Sequence, residues 1–139
     1  MDLSTAMDFV RAGRQGVLTT IRRGGRPQLS NILYTVDDVG VLRISVTAPR
    51  AKTKNLARDP RASLYACRDD FWAYVVLDGT AELTPVAADP NDATVDDLVA
   101  VYRSLSGEHD DWDAYRAAMV RDERLVVRFR PERAYGMLP

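Results

Sequence analysis

Six short runs of β-branched and aliphatic residues, each ended by a turn-forming cluster, constrain this chain more than any other feature. Gly16-Val17-Leu18-Thr19-Thr20-Ile21 is the first. Gly24-Gly25 follows and suits a tight hairpin, because glycine accepts positive φ without a Cβ clash. Residues 26–36 read as the returning strand, with Pro27 tolerable near its start. Asp37-Asp38-Val39-Gly40 is the next turn. Leu42, Ile44 and Val46 alternate with Val41, Arg43 and Ser45, the two-residue period of a half-buried strand. After Pro49, residues 51–58 read as a short helix closed by Asp59-Pro60. Residues 62–67 form a fourth strand. Residues 71–83 form a fifth, long enough to need a bend, and Asp78-Gly79 is the natural place for it. Residues 125–130 are the sixth, with Val127 and Phe129 opposite Arg128 and Arg130.

Helical periodicity is confined to the start and to one insertion. Leu3, Met7 and Val10 share a helical face, with Ser4 as N-cap and Gly13 as stop. Asp92 caps a helix whose Val95, Leu98, Val99, Tyr102 and Leu105 share a face, and Gly107 ends it. Asp110 or Asp111 caps another, with Trp112, Tyr115 and Met119 inward. Consecutive hairpins favour antiparallel pairing, and strands that do not alternate with crossover helices favour a barrel over a doubly wound sheet. The expectation is a mainly β, six-stranded antiparallel barrel with a helical insertion over one side or end. The 139 residues suit one domain spanning 1–139, and a chain of that size buries roughly 70% of its unfolded surface without disulfide or metal.

Charge narrows the function. The net charge is -1, which argues against bulk binding of nucleic acid or anionic membrane. Between Arg50 and Arg61, five cations face one acid, Asp59; between Asp89 and Asp113, eight acids face one arginine. Cys67 is alone, so no intrachain disulfide can form. Residues 1–13 lack the long apolar run of a signal peptide, and no stretch approaches the roughly 20 apolar residues of a membrane span. A cytoplasmic location is the expectation.

Few residues can carry chemistry. His109 is the sole histidine and has no Cys/His companions, so no metal site or catalytic triad is expected; it reads as a solvated turn residue. Cys67 reads as a small buried hydrophobe. Pro49-Arg50-Ala51-Lys52-Thr53-Lys54-Asn55 places a strand end, a tight loop and a helix N-terminus together, where free N–H groups and the helix dipole attract an anion. Arg50 can grip an oxyanion bidentately, Lys52 adds a point charge and Thr53 a hydroxyl donor. The same segment also reads as a solvated basic helix face. Gln28, Ser30 and Asn31 on the second strand, with Ser45 on the third, could hydrogen-bond a polar ring system or simply form an outward polar face. Trp72 and Tyr74 share a face of the fifth strand, there to stack on a ring or to pack in the core.

In this order, Gly25-Arg26-Pro27-Gln28-Leu29-Ser30-Asn31, Pro49-Arg50-Ala51-Lys52-Thr53-Lys54-Asn55-Leu56, Asp59-Pro60-Arg61-Ala62-Ser63, Gly79-Thr80-Ala81 and Gly107-Glu108-His109-Asp110-Asp111-Trp112 resemble the flavin and deazaflavin oxidoreductases of the pyridoxamine 5′-phosphate oxidase-like split-barrel superfamily. They are most similar to its actinobacterial branch that uses coenzyme F-420. That resemblance implies a homodimer with two interfacial cofactor sites. It puts Lys52 at the cofactor phosphate, Arg50 at the phosphate or acidic tail, Ser30, Asn31 and Ser45 beside the ring and ribityl chain, and Trp72 and Tyr74 where the partner subunit reaches over. Pro49, Ala51, Thr53 and Asn55 belong to the same binding segment, and Gln28 to the strand motif. The implied chemistry is hydride transfer from reduced deazaflavin to an unsaturated small-molecule acceptor. Ala51 stands where the oxidases tend to carry a second basic residue, a departure that favours the deazaflavin over FMN. An FMN-dependent oxidase or reductase on the same barrel, or a cofactor-binding protein without turnover, are the alternatives.

Overall fold

The computed structural model describes residues 1–139. Its elements run α1 (Leu3–Arg11), β1 (Gln15–Ile21), β2 (Pro27–Leu33), β3 (Thr35–Val36), β4 (Leu42–Thr47), α2 (Ala51–Arg58), β5 (Arg61–Cys67), β6 (Tyr74–Leu83), α3 (Ala93–Ser106), α4 (Trp112–Arg121) and β7 (Arg124–Met137). One antiparallel sheet holds all seven strands in the order β2-β1-β5-β6-β7-β4-β3. It curls into a barrel that stays open between β2 at one edge and β4–β3 at the other.

The sheet has seven strands rather than six because the expected strand over 26–36 divides. β2 pairs with β1, whereas Thr35 and Val36 pair with Arg43 and Leu42 of β4. Between them lies Tyr34, 1% exposed, whose hydroxyl donates to the Val10 carbonyl at 2.7 Å and whose N–H goes to Arg14. A bulky side chain driven inward turns the backbone from one edge of the barrel to the other. Burial also pushes the Tyr34 phenol up to about 12.

The first hairpin closes as a type I-like turn with Gly25 N–H on the Arg22 carbonyl; Gly25 alone of the two glycines takes positive φ, at 90°. The bend in β6 falls where expected, as a register break at Asp78/Gly79. Any Cβ on Gly79 would lie 2.1 Å from the Arg130 carbonyl oxygen, so the close approach requires glycine. The same irregularity accommodates Pro131, which cannot donate to a ladder. β7 therefore runs on to Met137, well past the expected end at Arg130.

The alternation read for Leu42, Ile44 and Val46 and for Val127 and Phe129 holds, and these residues join Leu18, Leu64 and Leu77 and, from α1, Ala6 and Val10 in the main core. Asp2 stands at the N-cap of α1, and Ser4 lies inside the helix with its hydroxyl on the Asp2 carboxylate, so it is not the cap. α3 and α4 form a second cluster (Val95, Leu98, Val99, Met119) over Val126 on the outer face of β7. Asp92 and Asp111 cap them, accepting from Val95 and Ala114 N–H. No helix is long and apolar enough to cross a membrane.

Candidate functional site

The open seam of the barrel is a groove of about 360 Å³ lined by Asn31, Ile32 and Leu33 of β2, Ser45, Val46 and Thr47 of β4, Arg50, Lys52, Leu105 and Arg124. It lies where β2 and the end of β4 have no strand between them. α2 follows β4 after a turn at Pro49, so Arg50 and Lys52 arrive at the groove end. No side chain caps α2, and its first-turn N–H groups keep their partial positive charge.

A polar network under α2 fixes that placement. Asn55, 7% exposed, donates to Thr20 Oγ1 at 3.1 Å; Thr20 donates to Gln28 Oε1 at 3.1 Å, and Gln28 Nε2 donates to Ser30 Oγ at 2.9 Å. Arg58 closes it, donating to Asn55 Oδ1 and the Ile21 carbonyl. Thr53 donates its hydroxyl to the Thr47 carbonyl at 2.7 Å, tying strand end to helix start. Strand alternation explains the outcome: Gln28 and Ser30 face inward with Thr20, while Asn31 faces outward, so the three do not form one polar surface. Gln28, Ser30, Thr53 and Asn55 thus spend hydrogen-bonding capacity on holding α2.

The groove is positively charged without compensation. No carboxylate lines it. Burial, and then the charges of Arg50 and Arg124, hold the Lys52 ammonium below the usual lysine range. Arg124 was not legible as a site residue, because it sits far along the chain at the start of β7 and reaches the groove only through β4–β7 pairing, opposite Thr47. Its NH1 donates to Ser45 Oγ at 3.3 Å, and its buried Nε has no partner. An anion in the groove would supply the counter-charge that Arg124 lacks and relieve the repulsion on Lys52, so the cation set fits a phosphate-bearing cofactor. Arg124 adds a third cation to the groove beside Arg50 and Lys52.

Asn31, Ile32 and Leu33 also line a second, more apolar groove of about 440 Å³ with Gln15, Gly16, Val17, Tyr65 and Cys67. Pairing places Asn31, Val17, Tyr65, Val76 and Tyr135 in one cross-strand row on the outward face of the sheet. Tyr65 stacks on Tyr74 at 5.5 Å between ring centroids. Cys67 is half-exposed in this groove, not the buried hydrophobe expected, and its thiol contacts the Arg68 carbonyl.

Trp72 does not share a strand face with Tyr74. β6 begins only at Tyr74, and Trp72 lies in the β5–β6 loop, 77% exposed beside Phe71 at 79%. Core packing is therefore not its role in this chain. Asp70 shapes the loop, accepting from Trp72 N–H and pairing with Arg68, and Phe71 takes φ 71°. His109 is a turn residue, as read, yet it is not simply solvated: it packs among Tyr102, Trp112 and Tyr115, and Nδ1 accepts from Asp111 N–H. No metal-binding group of carboxylates, cysteine or histidine forms.

An antiparallel barrel open along one seam, with anion donors at the seam and a ring-sized apolar groove beside it, defines a split barrel of the flavin and deazaflavin superfamily. The chain belongs to the pyridoxamine 5′-phosphate oxidase family, whose model matches residues 4–138. A conserved hypothetical protein from Mycobacterium tuberculosis superposes with a TM-score of 0.75 at 27% identity, over 98% of this chain and 84% of that one. A structure described as an F420 reductase gives 0.66 at 24% identity, over 88% of this chain and 89% of that one. The haem storage protein of Vibrio cholerae gives 0.70 at 16% identity, over 97% and 94%. The last two share the fold.

Proposed function

We propose that this protein is an oxidoreductase that binds coenzyme F-420 along its seam and serves hydride transfer to an unsaturated small-molecule acceptor. The observation that carries the reading is that two neighbouring grooves, one mostly apolar and one cationic, share Asn31, Ile32 and Leu33 in their walls. An elongated cofactor with a planar ring, a polyol chain and an anionic end matches that gradient. The ring would lie against Val17 and Tyr65, the polyol beside Asn31 and Ser45, and the phosphate at Lys52, Arg50 and Arg124. Reduced deazaflavin, when bound, supplies the hydride. The protein's part is to orient the ring, exclude water from one face and neutralise the phosphate. The ring end offers Tyr65 and Cys67 as its ionisable side chains.

The reading includes a homodimer with two interfacial sites. The outward sheet face exposes Leu29, Leu33, Tyr135 and Met137, with Phe71 and Trp72 at its end, an apolar surface of the kind that association covers. Trp72 would then reach over the partner's ring. The second reading is FMN binding, favoured by Arg124, because three cations in one small groove also suit a compact phosphate. Fluorescence titration with coenzyme F-420 and FMN side by side tests both, and acceptor reduction by the reduced deazaflavin tests catalysis. Tight binding without turnover would assign a carrier role, and tighter FMN binding would replace the first reading by the second.

A further inference from the structure

Arg50, Lys52 and Arg124 make no ion pair, whereas nine other arginines share ten. Arg124 is the unusual member. Two arginines have a buried Nε without a partner, Arg124 and Arg128. Arg128 has its NH2 on Asp97 at 3.0 Å, a full counter-charge. Arg124 has only a neutral hydroxyl at 3.3 Å. Its chain neighbour Glu123 is exposed and offers its carbonyl to Ala48, not its carboxylate to Arg124. From α4, Tyr115 is the titratable group facing Arg124, and that phenol is itself pushed up, chiefly by burial. A half-buried guanidinium without counter-charge is costly to keep unless a ligand supplies it.

We propose that Arg124 reads a second negative charge on the ligand, so that the groove selects a ligand end carrying two nearby negative charges over a lone monoanion. Lys52 and Arg50 hold the first charge at the end of α2; Arg124, on the β7 side of the groove, meets the second. Two sources share this chemistry: a phosphomonoester dianion, as in FMN, and a phosphodiester followed by a carboxylate, as in the tail of the deazaflavin. The proposal rests on the anionic-cofactor reading above and adds the residue that sets its charge preference.

The test compares wild type, Arg124→Met, Arg124→Lys and Lys52→Met, each checked for unchanged circular dichroism. FMN and coenzyme F-420 are titrated at pH 5 and pH 8, a range that spans the second ionisation of a phosphomonoester near roughly pH 6. No histidine or carboxylate lines the groove to titrate in that range. If the dianion is the source, wild type binds FMN about tenfold more tightly at pH 8, in keeping with one charged hydrogen bond. Arg124→Met then abolishes the pH increment and keeps the pH 5 affinity, while Lys52→Met loses affinity at both. If the carboxylate is the source, coenzyme F-420 binding is nearly independent of pH but falls about tenfold or more in Arg124→Met. Arg124→Lys recovers part of either loss. Equal affinities of wild type and Arg124→Met for both cofactors overturn the proposal. Pyrophosphate in a thermal-shift assay separates it from the cofactor reading. If neither cofactor binds but pyrophosphate raises the midpoint of wild type and not of Arg124→Met, the charge preference stands and the cofactor reading fails. An equal pyrophosphate shift in both proteins, or none in either, overturns the charge preference.

Discussion

Removing the Asp97 carboxylate should be among the most damaging substitutions outside the barrel core. Asp97 sits on α3 with its side chain 6% exposed and accepts from Arg43 of β4 and Arg128 NH2 of β7, bolting the helical insertion to the sheet. The two arginines are unequal. Arg43 also pairs with Asp37 at 3.2 Å and can fall back on it. Arg128 has no other carboxylate, and its Nε is already buried and unpartnered. Asp97→Ala therefore strands one guanidinium rather than two. Breaking a buried pair on one side costs about 3–5 kcal/mol. The lower end applies, about 3 kcal/mol, because Arg128 retains 34% of its side-chain exposure and can be partly solvated. For a chain of this length that is a fall of roughly 10 °C in Tm. The assay is urea unfolding followed by circular dichroism, with Arg128→Met added in a double-mutant cycle. The pair Asp97→Leu, Arg128→Met should recover most of the loss, since replacing both partners by apolar groups is often near neutral. A single-mutant loss below about 1 kcal/mol, or no recovery in the double mutant, would refute the claim that stranded charge is the cause.

Four further outcomes follow from other parts of the molecule. Lys52→Ala should weaken cofactor binding about 10- to 150-fold while leaving thermal stability nearly unchanged, since it relieves repulsion from Arg50 and Arg124; titration and a melting curve check the two halves. Trp72→Ala should leave the monomer fold intact, because the ring is exposed, yet lower cofactor affinity and dimer content, read by sedimentation at micromolar protein; a collapse of Tm without those losses would contradict it. Gly79→Ala should cost about 2–4 kcal/mol, because its methyl meets the Arg130 carbonyl and the bulge must open; a Cm within a few tenths molar of wild type would show that the bulge can shift. Tyr34 makes stability depend on high pH: its folded pKa is raised to about 12 from 10.0, so the stabilisation is present below pH 10 and is lost as pH rises from 10 to about 12. Unfolding free energy should fall across that window in wild type, by about 2–3 kcal/mol, and less in Tyr34→Phe.

The strands and their faces were legible because a two-residue period in Leu42, Ile44 and Val46, or in Val127 and Phe129, is a local signal that burial on one side enforces. Turn chemistry was equally local: Gly25, the Asp37–Gly40 turn and the caps Asp92 and Asp111 act over a few residues, and the motif from Pro49 to Asn55 put Lys52 and Arg50 together within one turn of helix. What local signals could not settle was which edge each strand joins. Residues 26–36 look like one strand, and only the burial of Tyr34 against α1 divides them. β7 looks finished at Pro131, and only the bulge opposite Gly79 lets it continue. Gln28, Ser30 and Asn31 look like one polar cluster, yet the pleat sends Asn31 to one face and its neighbours to the other. The groove's third cation is the clearest case. Arg124 lies more than seventy residues from Lys52, and its charge joins that of Arg50 and Lys52 only because β7 pairs with β4. Sequence by itself determined most of the elements and the basic segment from Pro49 to Asn55, since both depend on neighbours in the chain; the tertiary structure alone decided which cations share the groove, since Coulomb energy depends on distance in space and not on separation along the backbone.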